Sequence, residues 1–129
     1  MKIFYYLSQL IAWLVFFFIT RVFSKFKIIG QANIKKSSRH LLIVANHRSF
    51  IDPFIIGTLF PPTLKYLPIA YMVDDRYHRG ILKPFLFLLR TFPSYYGQGL
   101  AVSLKKPRQV LKENGIFLIF PSGERESNT

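Results

Sequence analysis

Hydrophobic and polar positions fall in blocks along most of this chain. The first block is the longest: eighteen uncharged residues, 3–20, separate Lys2 from Arg21. As a helix rising about 1.5 Å per residue it would be roughly 27 Å long, just short of a ~30 Å hydrocarbon core. Tyr5, Tyr6, Ser8 and Gln9 dilute its first half. No small-x-small cleavage site follows, which argues against a secretory signal. The pattern predicts a membrane-associated helix, spanning the bilayer or lying in one leaflet, with a buried core helix as the alternative.

Two five-residue apolar runs, 41–45 and 116–120, are each bounded by polar residues, as in fully buried strands. Residues 26–30 suggest a short strand closed by a glycine turn, and residues 31–39 a polar loop. Between the two runs the pattern predicts an apolar helix over 54–60 stopped by Pro61 and Pro62, then a strand over 65–70. A polar turn at 74–76 precedes a helix over 81–90 with Pro84 in its first turn. A strand over 92–96, a turn at Gly97-Gln98-Gly99 and a helix over 107–114 ending before Gly115 complete the pattern. Strands alternating with helices predict an α/β fold with a mixed, mostly parallel sheet flanked by helices. There is no internal repeat.

Composition narrows the class. With 129 residues, half of them hydrophobic and 17% aromatic, the chain carries enough apolar material for one domain's core. It has no cysteine, so disulfide and thiolate chemistry are excluded. Net charge is +12, and no acid occurs before Asp52. Six cations, Arg21, Lys25, Lys27, Lys35, Lys36 and Arg39, follow the apolar segment, which by the positive-inside tendency puts the body on the cytoplasmic side. Residues 76–112 hold eight more cations and no acid. A basic, strongly hydrophobic chain suits an anionic membrane surface or a phosphorylated substrate. It suits nucleic acid less, because the aromatics sit inside apolar runs such as 85–87, where packing takes them.

The chemistry gathers after the two five-residue runs. Asn46-His47-Arg48-Ser49-Phe50-Ile51-Asp52-Pro53 follows the first, and Pro121-Ser122-Gly123-Glu124-Arg125 the second. In a parallel sheet both clusters would face the rim at the strands' carboxyl ends, where ligands bind. A histidine oriented by a carboxylate deprotonates hydroxyls near neutral pH. There is no Gly-x-Ser-x-Gly elbow, so His47 and Asp52 would activate an incoming alcohol rather than an enzyme serine. The structural alternative is a helix start: Asp52 as N-cap before Pro53, or Ser49 as cap with Asp52 in the first turn. Arg125 beside Gly123 could clamp a phosphate with its planar fork. His40, His47 and His78 have no metal-binding spacing.

The block from Asn46 to Pro53 resembles the N-H-x4-D block of the glycerolipid acyltransferases of the 1-acylglycerol-3-phosphate O-acyltransferase type. Phe120-Pro121-Ser122-Gly123-Glu124-Arg125-Glu126-Ser127 resembles their F-P-E-G-T-R-S block, with Ser122 in place of Glu and Glu124 in place of Thr. The family's intermediate block, a Gly followed by an Arg, is not visible at residues 91–96. The resemblance implies His47 as general base, Asp52 as its charge-compensating partner, and Ser122, Gly123 and Arg125 at the acceptor phosphate. It implies an acyl-CoA or acyl carrier protein donor, no further cofactor, and lysophosphatidic acid as acceptor. A different lysophospholipid or an aminolipid is the alternative acceptor, and an inactive, basic membrane-binding protein the alternative outside enzymes. It further implies a hydrophobic membrane-associated segment at 1–24, and at 25–129 the N-terminal part of an acyltransferase domain whose later strands and V-P-V block would follow Thr129.

Overall fold

The computed structural model describes residues 2–46, 48–95 and 97–121. Its elements run α1 (Lys2–Phe23), α2 (Gln31–Lys36), β1 (Leu41–Val44), α3 (Asp52–Leu59), β2 (Ile69–Asp74), a 3₁₀ turn (Tyr77–Arg79), α4 (Lys83–Leu88), β3 (Thr91–Ser94), α5 (Leu100–Ser103), α6 (Lys105–Lys112) and β4 (Ile116–Ile119). The four strands form one sheet in the order β1-β4-β2-β3, and every pairing is parallel. The α/β architecture with flanking helices is therefore the one expected, and its sheet is parallel throughout.

Strand alternation divides the core between the two faces of the sheet. Ile69 of β2 with Ile116 and Leu118 of β4 point to one face, where Phe60, Tyr66 and Leu67 join them and Tyr6, Ile34 and Ile56 close over the top. Ala70 and Phe117 point to the other, where they meet Val110 of α6. β4 lies between β1 and β2, and Phe117 and Leu118 have no exposure. The turn from α6 into β4 needs Gly115: a Cβ there would lie 2.6 Å from Val110 Cγ1 and 2.7 Å from the Val110 carbonyl oxygen.

Several sequence expectations need correction. Residues 26–30 form no strand; Gly30, at φ 83°, instead opens α2 within the stretch expected to be a polar loop. The strand expected at 65–70 begins four residues later, because Thr63 O accepts the amides of Tyr66 and Leu67 in a turn. The run 41–45 is not fully buried. As an edge strand covered on one face, β1 leaves Leu42 46% and Val44 59% exposed. α5 was not foreseen.

α1 carries two opposed stripes. Tyr6, Gln9, Trp13 and Phe16 recur at helical spacing and face the domain. The Tyr6 hydroxyl donates to Pro62 O at 3.1 Å, Trp13 Nε1 donates to Phe60 O at 2.9 Å, and Phe16 stacks on Phe54 at 4.3 Å. Gln9 acts as a surrogate strand residue where β3 has not yet begun. Its Nε2 donates to Ile69 O at 2.6 Å and Leu89 O at 2.9 Å, while its Oε1 accepts the Ile69 amide at 2.8 Å. On the opposite stripe Phe4, Leu7, Ile11, Leu14, Phe18 and Val22 are exposed. Among the described residues α1 is the one helix long and apolar enough to cross a membrane by length and composition.

Candidate active site

β1 and β4 are direct parallel neighbours, with Val44 opposite Ile119. The Ala45 amide donates to Ile119 O at 3.3 Å, so the chain leaves both strands at one rim. Asn46 and Arg48 follow β1 there, and Phe120 and Pro121 follow β4. His47, Ser122, Gly123 and Arg125 lie outside the described residues.

Asp52 is the expected site residue whose surroundings are visible. It is the first residue of α3, with Pro53 behind it in the first turn. Its Oδ2 accepts the Arg48 amide at 2.6 Å and the Ser49 amide at 2.7 Å, while its own amide donates to Ser49 O at 3.1 Å. A carboxylate three residues beyond Ser49 thus reaches back across the turn, as the acid of a capping box does. Ser49 Oγ stands 3.5 Å from the Ile51 amide. The N-cap position itself falls to Ile51, which makes no side-chain cap, so Asp52 is not the N-cap. Two short N–H···O⁻ bonds are charge-assisted and pin the carboxylate at the end of β1.

A cavity of about 570 Å³ opens along this rim, within the ordinary range of ligand sites. Phe50, Pro53, Asp74, Arg76, Tyr95 and Pro121 surround its mouth by their places at strand and turn ends. It continues between the sheet and helices α1, α3 and α4, past Trp13, Phe54 and Tyr71, to Gln9, Leu67, Leu86 and Leu89. Most of that wall is apolar.

Sequence reasoning placed Asp74 and Arg76 in a turn and assigned them no site role. Arg76 grips Asp74 with Nε at 2.9 Å and Nη2 at 2.5 Å from Oδ2. The guanidinium holds the Asp74 carboxyl below its usual range. Tyr71 and Trp13 were also missed as site residues. The signal for Tyr71 was its alternation with Ile69 within β2, which becomes visible only once the strand is placed at 69–74. Nearby, the Thr91 hydroxyl donates to Leu86 O at 2.9 Å and so accepts from His78 Nε2 at 3.2 Å. Burial lowers the His78 pKa. Among the described residues no group of three or more metal-ligating side chains is assembled.

Residues 25–129 match the family model described as Acyltransferase. A segment of 50 residues is 36% identical to the 1-acyl-sn-glycerol-3-phosphate acyltransferase of Saccharomyces cerevisiae, covering 33% of this chain and 16% of the yeast protein. The chain thus matches about a sixth of that relative's length. No solved structure matches it significantly. The family match spans every strand of the sheet, the Asp52 turn and the rim after β4, and the chain belongs to the Acyltransferase family.

Proposed function

We propose that this chain forms part of a membrane-associated O-acyltransferase that moves a fatty acyl group from a thioester to a hydroxyl of lysophosphatidic acid. The observation that carries this reading is the largely apolar cavity opening beside the Asp52 turn, at the rim of a parallel sheet. Such a cavity can take an acyl chain with its thioester at the mouth. His47 then accepts the proton as the acceptor hydroxyl attacks the carbonyl carbon. The new C–O bond forms, the C–S bond breaks, and the proton passes from His47 to the leaving thiolate. Asp52 compensates the imidazolium, and no acyl-enzyme intervenes. Ser122, Gly123 and Arg125 hold the acceptor phosphate. The donor is acyl-CoA or acyl carrier protein, and the +12 charge favours either anionic carrier.

Membrane association rests on α1. Its inner stripe is hydrogen-bonded to the domain from Tyr6 to Trp13, and its outer stripe is apolar and open. That arrangement favours a helix lying in one leaflet, and the cations from Arg21 to Arg39 are the ground for putting the domain on the cytoplasmic side.

The test is acyl transfer by detergent-purified protein, with acyl-CoA as donor and a panel of acceptors. His47→Ala is expected to lower the rate at least a hundredfold, on the order of a lost general base. Equal rates in the two proteins would remove the dyad. Preference for a non-phosphorylated lysolipid or an aminolipid would remove the role given to Arg125. Salt-sensitive liposome binding without turnover on any acceptor would leave a membrane-binding protein instead.

A further inference from the structure

The polar side chains that line the cavity include Gln9, Trp13, Thr91 and Tyr71. The first three are engaged with backbone carbonyls. The Tyr71 hydroxyl has no hydrogen-bond partner among the described residues, although its backbone amide donates to Arg90 O. Tyr71 is partly buried, and with Gly57 it lines the cavity, so the hydroxyl's pairing is left to whatever fills that space. Burial raises the Tyr71 pKa well above the ordinary phenol range, so the group stays a neutral donor.

Space has been left for that hydroxyl. The facing residue of α3 is Gly57, where a Cβ would come within 3.2 Å of the Tyr71 oxygen. Depth follows from the elements. Gly57 lies five residues, about 7.5 Å, along α3 from Asp52. Tyr71 lies three residues, about 10 Å, below Asp74 at the end of β2. Leu67, Leu86 and Leu89 line the cavity with them, and Leu67 and Leu89 precede the starts of β2 and β3, deeper than Tyr71. A chain that enters at the rim and reaches those leucines must pass the hydroxyl.

An unbroken run of methylenes would leave that O–H dry and unpaired, whereas an oxygen on the chain would accept from it. Sites with a buried polar group discriminate strongly against a ligand that cannot pair it. We propose that Tyr71 is a specificity-determining residue, making the cavity prefer acyl chains with an oxygen substituent, hydroxyl or keto, at its depth over plain chains of equal length. The cavity's role as acyl site rests on the function proposed above.

Trp13 is the sole tryptophan and lines the cavity, so its fluorescence reports occupancy independently of turnover. The full chain in detergent is titrated with a plain fatty acid and with a positional series of its monohydroxy isomers. One isomer is expected to bind about tenfold more tightly than the plain acid, and Tyr71→Phe to abolish the difference by improving the plain acid. Gly57→Ala, which crowds the hydroxyl, is expected to weaken that isomer selectively. An unchanged ratio in Tyr71→Phe overturns the proposal. So does the absence of any preferred isomer in the parent protein, the result expected if water already satisfies the hydroxyl. The same chains as CoA thioesters separate the two readings. Discrimination in binding without turnover keeps the role of Tyr71 and removes acyl transfer; turnover without discrimination does the reverse.

Discussion

Tyr66 and Tyr71 flank the start of β2, yet removing a hydroxyl from each should have opposite consequences. The Tyr66 hydroxyl donates to Ile34 O at 3.0 Å. Tyr66→Phe removes that bond, although Ser37 still donates to the same carbonyl, and is expected to cost about 1 kcal/mol of unfolding free energy. Tyr71→Phe removes a donor that has no partner among the described residues, and stability is expected to stay equal or rise. Denaturant unfolding of the two variants side by side checks this, and equal losses would show that Tyr71 is bonded after all. At this scale the sequence was only partly legible. Asp52 stood out because it is the first acid in a chain of cations, and Ser49 three residues before it pointed to the turn that forms. Tyr71 gave no such signal, because its meaning depends on Gly57 across a cavity that no local pattern encodes.

Elements were legible where one face stayed apolar over a long run, as in α1, or where Pro and Gly marked the ends, as in α6 before Gly115. They were misplaced where tertiary packing overrode the pattern. Tyr66 and Leu67 look like strand residues, but they bury their side chains from a turn, and β2 starts beyond them. The run 41–45 has a core strand's composition at the sheet's edge, which periodicity could not distinguish. Gln9 is the clearest case. In sequence it dilutes a hydrophobic segment; in the fold it is 4% exposed and satisfies three backbone groups of β2 and the α4–β3 turn. Gln9→Leu preserves apolar volume but orphans those groups, and is expected to destabilise the protein by about 3 kcal/mol. Thermal unfolding in detergent measures it. A loss under about 1 kcal/mol would show that α1 adheres through its aromatic contacts alone.

For the molecule as a whole, the parallel arrangement was the most useful inference the pattern allowed. Two strands separated by some seventy residues of sequence prove to be neighbours that open on one rim. Strand order was not legible, because the place of β4 between β1 and β2 is a property of the assembled sheet. The assembled state also sets the response to acid. The folded pKa of His78 lies below its ordinary 6.5, so the unfolded chain takes up the proton first. This contribution to stability is complete above about pH 6.5 and declines as pH falls toward the lowered folded value. Tm is expected to drop over that window in the parent protein, and less in His78→Gln; identical profiles would assign the drop to other groups. The Gln9 contacts carry one more consequence, in the time order of synthesis. α1 leaves the ribosome well before its partners, for Gln9 bonds residues 60 and 80 positions later. Until β2 and the α4–β3 turn exist, the amide has no destination but water, lipid or a chaperone. Contacts of such separation are slow to form. A segment made before its partners is therefore among the last to be secured, and trimming it to gain solubility would strip one wall from the cavity and leave β2 open where Gln9 now closes it.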